Sequence, residues 1–299
     1  MTPFTHTRHF RIRAYECDAY GHLNNANYLR LMQEAAFDAS AAAGYDNRRY
    51  EELGVYWLIH ETGIEHLQPL VYNDIVAVKT WVADFRRVTS RRCYEFQRVG
   101  DGAMIAQAYT DWAFMDRAKN RPALIPGEMT NIFWPDGQPA TPPSRPPSPF
   151  PKQAPRPAEV FKSRRKVVWH EIDTMMHVNN AIYPSYAEEC GYQAVAAYGW
   201  PLQRLSELGH AILIRRARIE YLQPAVLDDE LEISTWIYNV RMVSAMRHYD
   251  IHRLRDGALL ARIDQLGAWV DLASGRPGRI PAQFVEDFAP NIAGSGISD

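Results

Sequence analysis

Cysteine is scarce. The 299-residue chain holds three, Cys17, Cys93 and Cys190, which cannot all pair and are too few for a disulfide framework. Neither sign of charge dominates: 33 basic residues stand against 35 acidic ones, a net charge of −2, so the basic excess of a general nucleic-acid binder is missing. No apolar run approaches the roughly 20 residues that span a bilayer. Met1 to Tyr15 mixes Thr, His and Arg without the apolar stretch of a secretion signal. These absences predict a soluble, cytoplasmic protein with reduced thiols that engages neither nucleic acid nor membrane. No Cys or His cluster has metal-ligand spacing, and neither a phosphate loop nor a dinucleotide fingerprint is present, so no metal or cofactor is expected.

What is present is a globular composition, 46% apolar and 23% charged, at a length that predicts about two domains. An internal repeat makes that concrete. Asp18-Ala-Tyr-Gly-His22-Leu-Asn24-Asn25-Ala-Asn-Tyr28 recurs, 155 residues on, as Asp173-Thr-Met-Met-His177-Val-Asn179-Asn180-Ala-Ile-Tyr183. The same offset carries Ile64-Glu-His-Leu-Gln-Pro69 to Ile219-Glu-Tyr-Leu-Gln-Pro224, and Asp101-Gly102 to Asp256-Gly257. Roughly a third of positions are identical between 11–126 and 166–281 with no gap, so one fold occurs twice.

The repeats imply domains at 1–134 and 159–288. Between them, 135–158 is crowded with proline, which favours an extended spacer reaching roughly 70 Å. Residues 289–299 read as a flexible tail. Each repeat opens with a short strand, around 10–15 and 166–169, followed by the Asp…His…Asn-Asn loop. A long helix then starts near Asn25, a good N-cap residue, and near Asn180, and stops at Gly44 and Gly199. Leu29, Met32, Ala36, Ala39 and Ala43 keep helical spacing. Strand-like runs follow near 55–66, 74–86, 91–100 and 103–115, with Asp101-Gly102 as a hairpin signal. The class is α+β.

The loop Asp-x-x-x-His-x-Asn-Asn-Ala-x-Tyr entering a central helix, together with Ile-Glu-x-x-x-Pro, resembles the hotdog-fold acyl thioesterases of the 4-hydroxybenzoyl-CoA thioesterase-like branch. Two copies in one chain are similar to the plant-type acyl-acyl carrier protein thioesterases. The resemblance implies two tandem hotdog domains, each an antiparallel sheet wrapped around a long helix, pairing within one chain as a pseudo-dimer. The molecule would then be a monomeric pseudo-dimer or a homodimer of double hotdogs. It implies an acyl-CoA or acyl carrier protein thioester as substrate. The alternatives are a hotdog hydratase or dehydratase, whose Gly-Asp-x-Asn-Pro-x-His pattern is missing, and a non-catalytic acyl-thioester binding protein.

Thioester hydrolysis needs a polarised carbonyl and a base or nucleophile; a thiolate then leaves without much acid help. In the resembled family the loop aspartate is that base or nucleophile, a role carried here to Asp18 and Asp173, while a helix N-terminus suits a developing oxyanion. A lone aspartate there would otherwise be a capping carboxylate. His22 and His177 either hold the aspartate or substrate, or pack the loop. Asn24, Asn25, Asn179 and Asn180 shape the turn, cap the helix and stand beside substrate. Gly21 has no counterpart, since Met176 stands there, so the two sites would differ if that N–H polarises the carbonyl. Tyr20 and Met175 replace the asparagine of the plant-type motif, and Pro69 and Pro224 fall where those enzymes place a glutamate. Arg86, Arg91, Arg241 and Arg247, near likely hairpins, would suit the phosphates of CoA or an acidic carrier face. Glu34 and Glu189 are second carboxylates or structural ion pairs. Cys190 is a small buried hydrophobe.

Overall fold

The computed structural model describes residues 2–139 and 154–294. The chain separates into two compact units, Met1–Pro147 and Ser148–Asp299.

In the first unit, strand β1 (Thr5–Arg11) leads through a 3₁₀ turn (Ala14–Glu16) and the Asp18 loop into helix α1 (Asn25–Ala42). A short helix α2 (Asn47–Glu52) precedes four strands, β2 (Val55–His66), β3 (Ile75–Phe85), β4 (Thr89–Arg98) and β5 (Met104–Asp116), of which β3 to β5 form a meander and β2 pairs with β5. The two-residue β6 (Arg121–Pro122) and helix α3 (Gly127–Phe133) follow. The strands order as β1-β3-β4-β5-β2, each neighbour antiparallel. Helix α1 buries Leu29, Met32, Ala36 and Ala39 of the stripe that the spacing predicts, together with Ala35, and Ala43 is buried just past its end. Small residues on that stripe let the helix approach a sheet whose inward side chains, Val76, Val78, Tyr94 and Phe96, are buried. One end of the core is closed by Met129 and Phe133 of α3, packed with Tyr45, Val82, Phe85 and Phe114.

The second unit repeats the plan. Strand β7 (Phe161–Lys166), a 3₁₀ turn (Trp169–Glu171), the Asp173 loop and a 3₁₀ turn (Asn180–Ile182) lead into helix α4 (Tyr183–Ala197). Then come α5 (Leu202–Glu207), β8 (His210–Tyr221), β9 (Glu230–Tyr238), β10 (Ser244–Arg253), β11 (Leu259–Asp271) and α6 (Ala282–Asp287). The sheet runs β7-β9-β10-β11-β8, again antiparallel. Phe284 and Phe288 close its core against Trp200 and Trp269.

The boundaries differ from the sequence reading at several places. The opening strands lie earlier than expected, at Thr5–Arg11 rather than around 10–15 and at Phe161–Lys166 rather than around 166–169. The N-cap of α1 is Asn24, whose Oδ1 accepts from Ala26 N at 3.0 Å, with Asn25 the first helical residue. Residues 140–153 of the proline-rich spacer lie outside the described residues. Its end is packed: Ala154 is buried, Trp236 Nε1 donates to the Pro155 carbonyl at 2.6 Å, and Arg156 pairs with Asp250 at 3.0 Å. The expected tail is ordered at its start. Ala289–Asn291 forms a 3₁₀ turn, and Ile292–Ala293 adds a strand, β12, parallel to β9. Asn291, fully buried, ties this segment down by donating to the carbonyls of Glu159 and Thr235, both at 3.1 Å.

Candidate active site

The Asp18 loop is a tight reversal. Cys17 and Leu23 form an antiparallel bridge, Asp18 N donates to the His22 carbonyl at 2.7 Å, and Gly21 N donates to the Asp18 carbonyl at 3.0 Å. The carboxylate orders the turn: Oδ1 of Asp18 accepts from the backbone N–H of Tyr20 at 2.8 Å and of His22 at 3.1 Å. Leu23 N reaches the Leu70 carbonyl at 2.7 Å, fixing the loop to the stretch between β2 and β3. Asn24 then caps α1. The capping and loop-ordering roles that compete with chemistry are therefore both filled, by Asn24 and by one oxygen of Asp18.

The second loop uses the same backbone and different side chains. Asp173 N donates to the His177 carbonyl at 3.0 Å, and Met176 N to the Asp173 carbonyl at 2.9 Å. Oδ1 of Asp173 accepts from Met175 N at 2.9 Å, while Oδ2 accepts from Asn179 Nδ2 at 3.3 Å. His177 Nδ1 lies 3.6 Å from Asp173 Oδ1 and 3.3 Å from its neighbour's carbonyl at Val178. Asp173, His177 and Asn179 are thus gathered by side-chain contact. Asn179 also caps the following turn through Ala181 N at 2.9 Å, and the Asn180 carbonyl accepts from Tyr221 at 3.1 Å. Both aspartates and both histidines are half-buried, reachable from solvent yet partly desolvated.

The expected difference between Gly21 and Met176 is absent from the backbone. Gly21 has φ +77° and Met176 φ +61°, so both occupy the left-handed region and donate to the same aspartate carbonyl.

The arginines do not join these loops within their own units. Arg86 opens the β3–β4 turn, its N–H bonded to the Thr89 carbonyl, and Arg241 does the same with Ser244 between β9 and β10. The Asp18 loop is tied to the opposite end of β3, where Ile12 N donates to the Asp74 carbonyl. An eleven-residue strand separates the two ends by about 33 Å. Arg91 makes a two-pronged pair with Asp111, both contacts 2.7 Å, and lies 3.9 Å above the Tyr109 ring. Arg247 lies over the Phe288 ring at 5.7 Å.

Other residues settle on structural roles. Glu34 pairs with Arg8 of β1 at 3.1 Å, and exposed Glu189 accepts from Gln193. Cys190 is buried, bonds the Ile233 carbonyl, and burial pushes its thiol pKa up, the opposite of an activated nucleophile. Tyr28 and Tyr183 are core residues, 2% exposed each. Sequence reasoning passed over Glu16 and Glu171, each two residues before the aspartate. Their carbonyls accept from Asn24 N and Asn179 N, both at 2.9 Å. The signal was available, since these glutamates recur at the 155-residue offset.

A sheet wrapped on a long helix, present twice in tandem with the aspartate loop at each helix entrance, defines two hotdog domains. A family model for the thioesterase-like superfamily matches residues 12–133 and 167–288, and the chain belongs to that superfamily. The chain is 24% identical over 185 residues to the acyl-acyl-carrier-protein hydrolase FATB2 of Cuphea viscosissima, covering 59% of this chain and 44% of that protein. It therefore spans less than half the length of that curated relative. It is 27% identical over 129 residues to the acyl-CoA thioester hydrolase YbgC of Escherichia coli, covering 43% of this chain and 96% of YbgC. The 12:0-ACP thioesterase from Umbellularia californica superposes with a TM-score of 0.72 at 16% identity, over 88% of this chain and 93% of that one. No helix among the described residues is long and apolar enough to cross a membrane.

Proposed function

We propose that the chain hydrolyses acyl thioesters of coenzyme A or of an acyl carrier protein to free acid and thiol. The observation that carries this reading is the loop aspartate. It stands in both units ahead of the central helix, with the N–H groups of Tyr20 and His22 fixing one oxygen of Asp18 and that of Met175 fixing one oxygen of Asp173. A carboxylate held this way needs little reorganisation when it acts on water or on the carbonyl carbon. The positive end of α1, and of the turn leading into α4, polarises the thioester carbonyl as negative charge develops on its oxygen. His177, beside Asp173, orients that carboxylate or contacts the carbonyl, and His22 is assigned the same role for Asp18 from its position in the repeat. The names of the relatives supply the substrate class: an acyl carrier protein thioester in Cuphea and an acyl-CoA thioester in Escherichia coli.

The test is thiol release from acyl-CoAs of graded length, one aromatic acyl-CoA and acyl carrier protein thioesters. Wild type is compared with Asp18→Asn, Asp173→Asn and the double variant. Loss of one oriented carboxylate lowers kcat by roughly 100-fold or more at its own site. The double variant is therefore inactive, and the single variants apportion the rate between the two loops. A double variant that keeps the wild-type rate removes the aspartates from the mechanism.

A further inference from the structure

The Asp173 loop has little packing of its own. Thr174, Met175 and Met176 are exposed, so the position of the carboxylate is inherited from whatever anchors the flanks. One anchor is Asn179, through its cap. The other is Glu171, only 5% exposed, at the end of the 3₁₀ turn two residues before the aspartate.

Glu171 joins four elements. One carboxylate oxygen accepts from Arg165 on β7. The other accepts from the Tyr186 hydroxyl on α4 at 2.7 Å and from Val168 N at 3.0 Å. Its own carbonyl accepts from Asn179 N at 2.9 Å, the residue that also donates to Asp173. A buried carboxylate is costly unless paired and hydrogen-bonded, and here the donors satisfy it. Burial and the bond to Glu171 push the Tyr186 phenol up, which keeps it protonated as a donor. Arg165 also lies 3.9 Å over the Tyr186 ring, so strand, helix and carboxylate form one cluster.

The first unit keeps the glutamate and loses the cluster. Glu16 accepts from Arg13 N at 2.8 Å, but Phe10 and Leu31 stand where Arg165 and Tyr186 stand in the second unit. Asn27 compensates in part by donating to the Glu16 carbonyl at 2.8 Å. The side-chain anchor to strand and helix thus belongs to the second loop.

We propose that Glu171 is a positioning residue for Asp173, holding its loop in register with β7 and α4 through Arg165 and Tyr186. This rests on the thioesterase reading. A carboxylate displaced by a fraction of an ångström binds substrate as before and turns it over slowly, so the effect falls on kcat.

The experiment places Glu171→Gln, and separately Tyr186→Phe, in the Asp18→Asn background, where hydrolysis reports on the second loop. Thioester hydrolysis and amide hydrogen exchange are both followed. The expected result is a kcat lowered roughly tenfold or more by Glu171→Gln with KM changed less than twofold, and a smaller loss of the same kind for Tyr186→Phe. Exchange accelerates at 173–179 and stays at the parent level in 187–194 of α4. Unchanged loop exchange, an effect on KM alone, or equal acceleration in α4 overturns the proposal. If Glu171→Gln does not fold, Tyr186→Phe carries both readouts. If wild type itself hydrolyses no thioester, the failure belongs to the thioesterase reading, and loop exchange alone decides the positioning role. If wild type is active and the Asp18→Asn protein is not, the second loop carries no rate and a role for Glu171 in catalysis is overturned.

Discussion

Met176 occupies the left-handed backbone position that Gly21 fills in the other unit, with φ +61° against +77° and the same N–H bond to the preceding aspartate carbonyl. A residue with a Cβ costs about 1–2 kcal/mol in that region, and glycine costs nothing there beyond its larger unfolded-state entropy. The turn geometry is thus preserved by the rest of the loop at the expense of local strain. Met176→Gly should stabilise the protein by up to about 1 kcal/mol, a rise of a few degrees in Tm for a unit of this size. Met176→Ala should leave Tm unchanged, since alanine carries the same Cβ. Met176→Val should lower it, because β-branching worsens the clash. A thermal melt of the three variants checks the order; valine equal to glycine would refute the strain.

The same comparison shows which parts of the molecule are legible in the chain. The constant offset from Asp18 to Asp173 makes the two domains readable, because the loop, the central helix and most of its buried face recur at one spacing. The Asn24 cap was misplaced by one residue because Asn24 and Asn25 are chemically alike, and only backbone geometry separates them. The pairing of Arg91 with Asp111, 20 residues away on β5, is not legible in the sequence. A cross-strand ion pair has no sequence spacing to announce it. Ile292–Ala293 was assigned to a tail because a two-residue strand shows no alternation. Glu171 escaped notice for the reverse reason: its partners Arg165 and Tyr186 have no counterparts in the first repeat, so the repeat concealed the cluster.

A charged cluster on the second sheet yields a pH prediction. Tyr249 approaches α4 at Gly191, so alternation along β10 puts His248 on the opposite face, beside Trp236 and the segment Ala154–Arg156. There His248 Nδ1 lies 2.8 Å from Asp264 Oδ1 on β11, and Nε2 lies 2.9 Å from Asp250 Oδ1. Tyr238 on β9 also donates to Asp264, and Arg156 pairs with Asp250, with Arg262 at 4.0 Å. Burial opposes the imidazolium, but the hydrogen bonds and charges of the two aspartates outweigh it and raise His248 to about 9. A group raised above its unfolded value near 6.5 contributes stability fully below pH 6.5 and loses it as pH rises through 9. Wild-type Tm should therefore fall between pH 7 and pH 9.5. His248→Gln, which takes the imidazolium from buried Asp264 and leaves Asp250 with Arg156 alone at close range, should cost roughly 3 kcal/mol at pH 7 and flatten that decline. Parallel Tm curves for the two proteins across this range would remove His248 as the titrating group.

The close approach of α4 to β10 at Gly191 gives a prediction whose sign reverses with its partner. A Cβ built on Gly191 of α4 would lie 2.6 Å from the hydroxyl oxygen of Tyr249, and the next ring atom is 3.7 Å away. Tyr249 is 2% exposed and cannot swing out. Gly191→Ala should therefore destabilise wild type by about 1–3 kcal/mol, the usual cost of overpacking. Once Tyr249→Phe has removed the hydroxyl, the clash is gone. The higher helix propensity of alanine, worth about 1 kcal/mol, then remains, and the same Gly191→Ala change should stabilise. A double-mutant cycle read by thermal melting measures this coupling. Equal destabilisation by Gly191→Ala in both backgrounds would show that the glycine is required by some contact other than the Tyr249 hydroxyl. A reversal of sign would establish that this hydroxyl sets how closely α4 lies against β10.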